Sequence, residues 1–502
     1  MELSPFLVVW VSSVAPIEIS AGGQWQLMRP FEIMLLLAEF SVLVVMFLPI
    51  SLGRPSLRYL PMVAVLAAVA QLVIEGPRWQ MVPAYLAIAL FFTNWCPRKF
   101  INLLGSLALF ASLLLSLAIP VFQFAKPTGP YKIGTVTYHW IDTSRIEVFN
   151  ADTKTHRELM VQISYPEQHD TTLQQAPYMP DAVAFSAAQG KLHNWPSFLL
   201  DHLKYVKANA QLSAKLAPDK PQFPVLIFVE GITGYRQMNN FQVEELVSHG
   251  YIVVAIDQPY VAATVVFPNG REISGLSKDE MNPLIQQSIT PIEPAPALNK
   301  TAFNDGIIPY LAQDVVFTLD QLAKLNKADP NGNLTGRLDL ERIGIFGVSL
   351  GGIIVGETCR LDRRLRACLV MDAPMTSRVV REGLLQPTMW ITRDMQTMRS
   401  EGWSQFDIDQ HQTTMRAVFN GLAGEGYFVQ VSGMFHVNLT DVPLFSPLLS
   451  WAGMTGPIDG KRAHDIINAY SVSFFDEYLE GPKSSLLDSA TKLFPEVQFE
   501  KR

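Results

Sequence analysis

The segment Gly347-Val348-Ser349-Leu350-Gly351 follows the apolar run Arg342-Ile343-Gly344-Ile345-Phe346 and leads into Gly352-Ile353-Ile354-Val355-Gly356. A β-rich run, a serine flanked by glycines two residues away on each side, and a helical pattern after it place the hydroxyl at a sharp strand-to-helix turn. The glycines are needed because the backbone is strained there and the strand and helix approach too closely for a Cβ. A nucleophile elbow of this kind constrains the chain to a sheet whose strands alternate with helices. It makes serine chemistry the first functional expectation.

The chain has 502 residues, enough for two or more folded units. Charged residues make up 17% and hydrophobic residues 49%, with the apolar excess concentrated in the first 125 positions. A net charge of -7 offers no basic footprint, and no Lys/Arg cluster is interleaved with aromatics, so nucleic acid is not expected as a partner. Cys96, Cys359 and Cys368 lie in apolar contexts and read as small core residues rather than as a disulfide framework. Without C-x-x-C or H-E-x-x-H spacing, no metal site and no cofactor are predicted. Nothing in the sequence fixes an oligomeric state.

Residues 1–126 are predicted to form a transmembrane region of about four helices. Residues 101–125 carry no charge and are long enough to cross a hydrocarbon layer of roughly 30 Å. Residues 59–74 and 79–97 read as a helical hairpin joined by Glu75-Gly76-Pro77-Arg78, and residues 31–52 as a fourth span despite Glu32 and Glu39. A carboxyl is costly in such a span, so Glu39 is expected to face a neighbouring helix or the interface. Residues 5–17 are too short to span and read as interfacial. Arg54 and Arg58 in one connection and Arg98 and Lys99 in another place those loops in the cytoplasm, which puts everything after Lys126 on the extracytoplasmic side.

From residue 127 the pattern changes to strands alternating with helices. Residues 133–141 and 159–165 read as an antiparallel pair; 225–229, 251–256, 342–346, 366–371, 388–392 and 427–431 are short β-rich runs, with helices at 313–325 and 413–422. Alternation of this kind predicts a mostly parallel sheet with helices on both faces, the α/β-hydrolase fold, over residues 127–502. Residues 168–220, poor in strand signals, are a candidate cap or lid.

In that fold an acid and a histidine follow the elbow serine in chain order. His436 lies just beyond the last β-rich run, in Ser432-Gly433-Met434-Phe435-His436, where a loop can bring it back over Ser349. His411 and His464 fall in helical patterns, and the remaining histidines precede the serine. Two aspartates end successive strands after the elbow helix: Asp372 in Val370-Met371-Asp372-Ala373-Pro374 and Asp394 in Trp390-Ile391-Thr392-Arg393-Asp394. The second position is the commoner one for the acid, and either residue also suits a helix cap or turn.

Phe228-Val229-Glu230-Gly231-Ile232-Thr233-Gly234-Tyr235-Arg236, the elbow, Met371-Asp372-Ala373-Pro374-Met375 and Gly433-Met434-Phe435-His436-Val437-Asn438 together resemble the plasma and type II platelet-activating-factor acetylhydrolases and their bacterial relatives. The resemblance runs over roughly residues 127–480. It implies Asp372 as the acid, because in that family the acid follows the strand immediately after the elbow helix. Where the family usually has histidine before the glycine of the first motif and within the elbow, this chain has Glu230 and Val348. The preceding hydrophobic hairpins resemble those of membrane-tethered bacterial members.

The roles then follow: Ser349 as nucleophile, His436 as general base, Asp372 as the acid that orients it, and the backbone N–H groups of Ile232 and Leu350 as the oxyanion hole. The resemblance implies hydrolysis of phospholipid esters with a short or oxidised acyl chain, beside the membrane. General short-chain esters or polyesters are the alternative substrates, and a membrane-held binding module the alternative without chemistry.

Overall fold

The computed structural model describes residues 28–47, 59–92, 97–152, 154–168, 173–299, 301–481, 487 and 493–502. They belong to two compact units. One comprises the chain up to Ala125 with two returning segments, Leu200–Val206 and Leu444–Leu448; the other comprises Lys126–Leu199, Lys207–Pro443 and Leu449–Arg502.

The first unit is helical: α1 (Pro30–Phe47), α2 (Leu60–Ala70, continued by a π-turn to Glu75), α3 (Val82–Phe91, led in by a 3-10 turn from Trp79) and α4 (Arg98–Ala118). Among the described residues only α1, with 18 residues, and α4, with 21, are long and apolar enough to cross a membrane. The segments Leu60–Glu75 and Trp79–Phe91 are shorter apolar helices, and at about 1.5 Å per residue they reach roughly 24 and 20 Å. The four expected spans are thus corrected to two candidates. The break is local: Gly76 takes φ 81°, and Pro77 cannot continue the preceding helix. At that turn Arg78 Nη1 pairs with both oxygens of Glu32 at 3.1 and 3.0 Å, and Arg29 Nη2 reaches Glu32 at 2.7 Å. Glu39 is fully buried within this unit. In the returning segments, Tyr205 donates to the Pro77 carbonyl at 2.7 Å and Phe445 stacks on Phe122 at 5.8 Å. The interfacial stretch 5–17, the Arg54 and Arg58 connection and Cys96 lie outside the described residues.

The second unit is built on one sheet of eleven strands. These are β1 (Lys132–Ile146), β2 (His156–Glu167), β3 (Gln175–Pro177), β4 (Lys207–Leu212), β5 (Phe223–Val229), β6 (Ile252–Asp257), β7 (Leu338–Val348), β8 (Leu365–Met371), β9 (Thr388–Arg393), β10 (Gly426–Val431) and β11 (Val497–Lys501). Their spatial order is β11-β10-β9-β8-β7-β5-β6-β2-β1-β4-β3. The six strands from β10 to β6 run parallel, and β1 and β2 form the expected antiparallel pair, with Ile133 opposite Pro166. β3 and β4 come from the stretch read as a cap, and β4 extends the sheet beside β1. The helices are α5 (Ala182–His193), α6 (Asn240–Ser248), α7 (Lys278–Ile289), α8 (Ile308–Lys327), α9 (Leu350–Leu361), α10 (Ser377–Glu382), α11 (Met395–Ser400), α12 (Gln405–Gly421) and α13 (Gly460–Phe475).

β5 reads Phe-Pro-Val-Leu-Ile-Phe-Val and is buried throughout, as a strand covered on both faces must be. Val225, Ile227 and Val229 join a core with Leu311 and Val315 of α8 and Ile353 and Ile354 of α9. The alternate residue Phe228 meets Phe346 at 5.1 Å, and Phe346 meets Phe475 of α13 at 6.1 Å. Each such side chain contributes about 1.5 to 3 kcal/mol by leaving water. The cysteine reading needs correction. Cys359 of α9 and Cys368 of β8 are fully buried as expected, but they form a disulfide, with Cα atoms 6.8 Å apart. Spacing alone did not reveal it because the two meet only after the elbow helix has folded back along the sheet.

On the α13 face, His464 is buried, stacks on Phe241 at 3.7 Å and makes a 2.9 Å hydrogen bond through Nε2 to the Thr440 carbonyl. Burial lowers its pKa to about 4. The unfolded chain binds this proton below about pH 6.5 whereas the folded chain resists it, so the contribution is complete above pH 6.5 and is lost as pH falls toward 4. Thermal melts are expected to lose roughly 3 kcal/mol from this residue over that window, with a flatter pH dependence in His464→Gln.

Candidate active site

β5, β7 and β8 are neighbours or next neighbours in the sheet, and each leads into a residue with positive φ just beyond its C-terminal end. Ser349 has φ 59° and ψ -125°, Asp372 φ 49° and Thr233 φ 55°. Such backbone is costly for residues other than glycine and is held only where its surroundings enforce it. Here the Ser349 N–H donates to the Met371 carbonyl and the Asp372 N–H to the Ile391 carbonyl, both at 2.9 Å. The elbow is thereby tied to the strand carrying the aspartate, and the aspartate to the strand after it.

The glycines of the elbow are required by contact. A Cβ on Gly351 would stand 2.1 Å from the Val229 carbonyl oxygen, and one on Gly347 would stand 2.7 Å from the Gly351 carbonyl carbon. Without side chains there, α9 can begin against the end of β5 and present its N-terminus beside Ser349. Gly231, in the loop after β5, approaches the serine: a Cβ built on it would lie 3.3 Å from Ser349 Cβ. The next residues turn, with Gly234 N–H bonded to the Gly231 carbonyl at 2.9 Å. Gly231 N–H is engaged by Met238 Sδ at 3.3 Å and Thr233 N–H by the Val261 carbonyl at 2.8 Å. Among the described residues no hydrogen bond engages the N–H of Ile232 between them, or that of Leu350 at the start of α9.

Asp372 is the hub of the polar contacts. Its Oδ2 accepts from His436 Nδ1 at 2.5 Å, and its Oδ1 from Thr392 Oγ1 at 2.8 Å. Burial pushes this carboxyl up, but the Arg393 charge and the two histidine contacts outweigh it and hold it well below the usual carboxylate range. Asp372 is therefore ionised wherever the protein is folded at ordinary pH. His436 opens a short 3-10 turn and is 24% exposed, so one side of its ring is open while Nδ1 is held.

Asp394, the alternative acid, sits at the start of the next helix. Its carboxylate caps α11, accepting from Thr397 N–H at 2.8 Å and Thr397 Oγ1 at 2.7 Å. That threonine hydroxyl in turn accepts from Gly433 N–H at 3.1 Å, so Asp394 supports the histidine loop from below. Four residues of the cluster escaped sequence reasoning. His411 Nε2 lies 3.4 Å from Asp372 Oδ1, Arg393 Nε 2.8 Å from Asp372 Oδ2, and Glu401 pairs with Arg393 and accepts from His436 N–H at 3.2 Å. The Trp403 ring packs beside both histidines, at 5.4 and 5.8 Å. The usable signal was a charged residue, Arg393, ending an otherwise apolar strand.

The profile of the family described as "Platelet-activating factor acetylhydrolase, isoform II" matches residues 118–486, most of the chain. The chain belongs to that family. As a member of the platelet-activating factor acetylhydrolase family it is an ester hydrolase, and the match begins where α4 ends. A "Platelet-activating factor acetylhydrolase" of Cavia porcellus is 24% identical over 70% of this chain and 77% of its own length. A "Probable 1-alkyl-2-acetylglycerophosphocholine esterase" of Arthroderma benhamiae is 25% identical over 78% of this chain and 97% of its own. Among solved structures, a ferulic acid esterase from Streptomyces cinnamoneus superposes with a TM-score of 0.58 at 26% identity, over 75% of this chain and 98% of the esterase. The α/β-hydrolase fold of the second unit is thus shared with a known esterase.

The two departures from the family pattern are both interior. Val348 is buried at the end of β7, and Glu230, fully buried, accepts from Gln258 N–H at 2.8 Å. Burial, reinforced by Asp257 nearby, raises the Glu230 carboxyl well above its ordinary value, so it sits beside the turn as a neutral acid.

Proposed function

We propose that this acetylhydrolase-family member cleaves the ester of phospholipids bearing a short or oxidised acyl chain, with Ser349 as nucleophile, His436 as general base and Asp372 as the acid. The 2.5 Å Asp372–His436 hydrogen bond, next to a serine on a strained elbow, carries this reading. The carboxylate fixes the ring so that Nε2 is left to take the Ser349 proton during attack on the ester carbonyl. The oxyanion is received by Ile232 N–H and Leu350 N–H, the second aided by the positive end of α9; each donor is worth about 3 kcal/mol in the transition state. Collapse expels the lysophospholipid alcohol with a proton from His436 and leaves an acyl-Ser349. Water, deprotonated by the same ring, then releases the acid.

The lipid substrate is supported by family membership and by α1 and α4, which would hold the enzyme at a bilayer and raise the local substrate concentration through geometry. We place the hydrolase unit on the extracytoplasmic side. Arg98 and Lys99 open α4 while Lys126 follows its other end, and the Cys359–Cys368 disulfide suits an oxidising compartment.

The test is labelling of the full chain by a fluorophosphonate, followed by hydrolysis of phosphatidylcholines graded in sn-2 chain length. Labelling is expected in the native chain and absent in Ser349→Ala, with rates falling steeply as an unoxidised sn-2 chain lengthens. Undiminished labelling of Ser349→Ala sinks the assignment of the nucleophile. Rates independent of chain length, or activity confined to soluble esters, overturn the substrate.

A further inference from the structure

We propose that Arg393, clamped by Glu401, is a positioning residue of the hydrolysis: a buried cation on the acid's own oxygen that limits how strongly Asp372 holds a proton on His436. The inference rests on Ser349, His436 and Asp372 acting as above.

Arg393 Nε and His436 Nδ1 address the same atom, Asp372 Oδ2, from 2.8 and 2.5 Å. The other oxygen is occupied by Thr392 and approached by His411, so the carboxylate has no solvent-facing side on which to spread its charge. The guanidinium cannot move away. Its Nη1 is paired with Glu401, its face lies 4.5 Å from the Trp403 ring, and its side chain is fully buried. Glu401 also accepts from the His436 main-chain N–H, linking the cation to the loop that carries the base. The ionisable groups facing His436 are therefore Asp372, Arg393, Glu401 and His411, with Asp394 next to Arg393 on its outer side. Burial keeps His411 below its ordinary pKa, so it approaches Asp372 as a neutral ring.

The charges have a consequence for catalysis. With His436 neutral, Asp372, Glu401 and Arg393 together carry one net negative charge, which protonation of the ring would cancel. Arg393 offsets one of two carboxylates in a low-dielectric setting where such terms are large. Without it a second uncompensated anion would favour the imidazolium, and the base would be lost at higher pH. A purely structural arginine would matter for folding and leave the titration of the base where it is.

The experiment is the pH profile of kcat/KM on a soluble chromogenic acetate ester, using the full chain in detergent, for the native protein, Arg393→Lys, Arg393→Met and Glu401→Gln. Arg393→Met is expected to move the acid limb up by roughly one pH unit and to lower kcat roughly tenfold or more with KM nearly unchanged. Arg393→Lys keeps the charge and is expected to leave the limb near its native place. Glu401→Gln removes an anion facing both Arg393 and His436, and is expected to move the limb down by about half a unit. An unmoved limb in Arg393→Met, or the same displacement in Arg393→Lys, overturns the proposal. If Arg393→Met does not fold, Glu401→Gln decides alone, since Glu401 is 17% exposed and its amide retains an acceptor; an unmoved or raised limb there overturns it. Activity persisting in Ser349→Ala would instead refute the underlying triad, and this inference with it.

Discussion

In Ser349→Ala, turnover of every ester that the native chain hydrolyses is expected to fall by a factor on the order of 10⁵ or more, while the melting temperature stays close to native. The loss is large because no other described side chain occupies the end of β7 at the mouth of α9, and an acyl-enzyme cannot form without the hydroxyl. The residual rate should remain above the uncatalysed one, because Ile232 and Leu350 N–H would still receive an oxyanion from attacking water. Stability is spared because the Ser349 hydroxyl makes no hydrogen bond that holds the fold among the described residues, while the backbone bond from Ser349 N–H to Met371 persists. Alanine at φ 59° is strained, but the serine already bears that strain. Steady-state rates with calorimetry on the same preparation check both halves of the expectation.

Asp372→Asn is the second large effect, a fall in kcat of about 10⁴, against less than about tenfold for Asp394→Asn. An amide at position 372 keeps the shape but can present an N–H to His436 and so select the wrong tautomer. It also strips the buried Arg393 of one of its two carboxylate partners, leaving Glu401 alone to offset the cation, so a lower melting temperature is expected as well. Asn at 394 can still cap α11 through its oxygen, losing mainly the charge toward Thr397. A kcat loss larger in Asp394→Asn than in Asp372→Asn would reverse the assignment of the acid.

The elbow was legible because its constraint is local: Gly347 and Gly351, each two residues from Ser349, answer close backbone approaches, of Gly347 to Gly351 and of Gly351 to Val229, that any strand-to-helix turn of this tightness must make. β5 to β10 were legible because strands buried on both faces are short unbroken apolar runs. Hydropathy overcounted the membrane spans because it weighs composition over a window, whereas α2 and α3 are cut short by backbone at Gly76 and by the 3-10 turn at Trp79. The surroundings of Asp372 were hidden for a different reason. Arg393, Glu401 and His411 come from the end of a strand, the end of one helix and the middle of another, and only the folded path of the chain brings them to one carboxylate. His411 looked like an ordinary helical residue because it is one, with a side chain that happens to end at Asp372. The order of Asp372 and His436 along the chain was readable, and the resemblance favoured Asp372 over Asp394 where spacing could not.

Leu200–Val206 and Leu444–Leu448 leave the hydrolase portion of the polypeptide and return to it, so the helical unit is woven from three separate stretches of chain rather than appended at one end. A clean scission after Ala125 would leave Tyr205 without the Pro77 carbonyl and Phe445 without its stacking ring. Anyone wishing to prepare the enzyme without its leading helices would therefore have to redesign those two excursions as well.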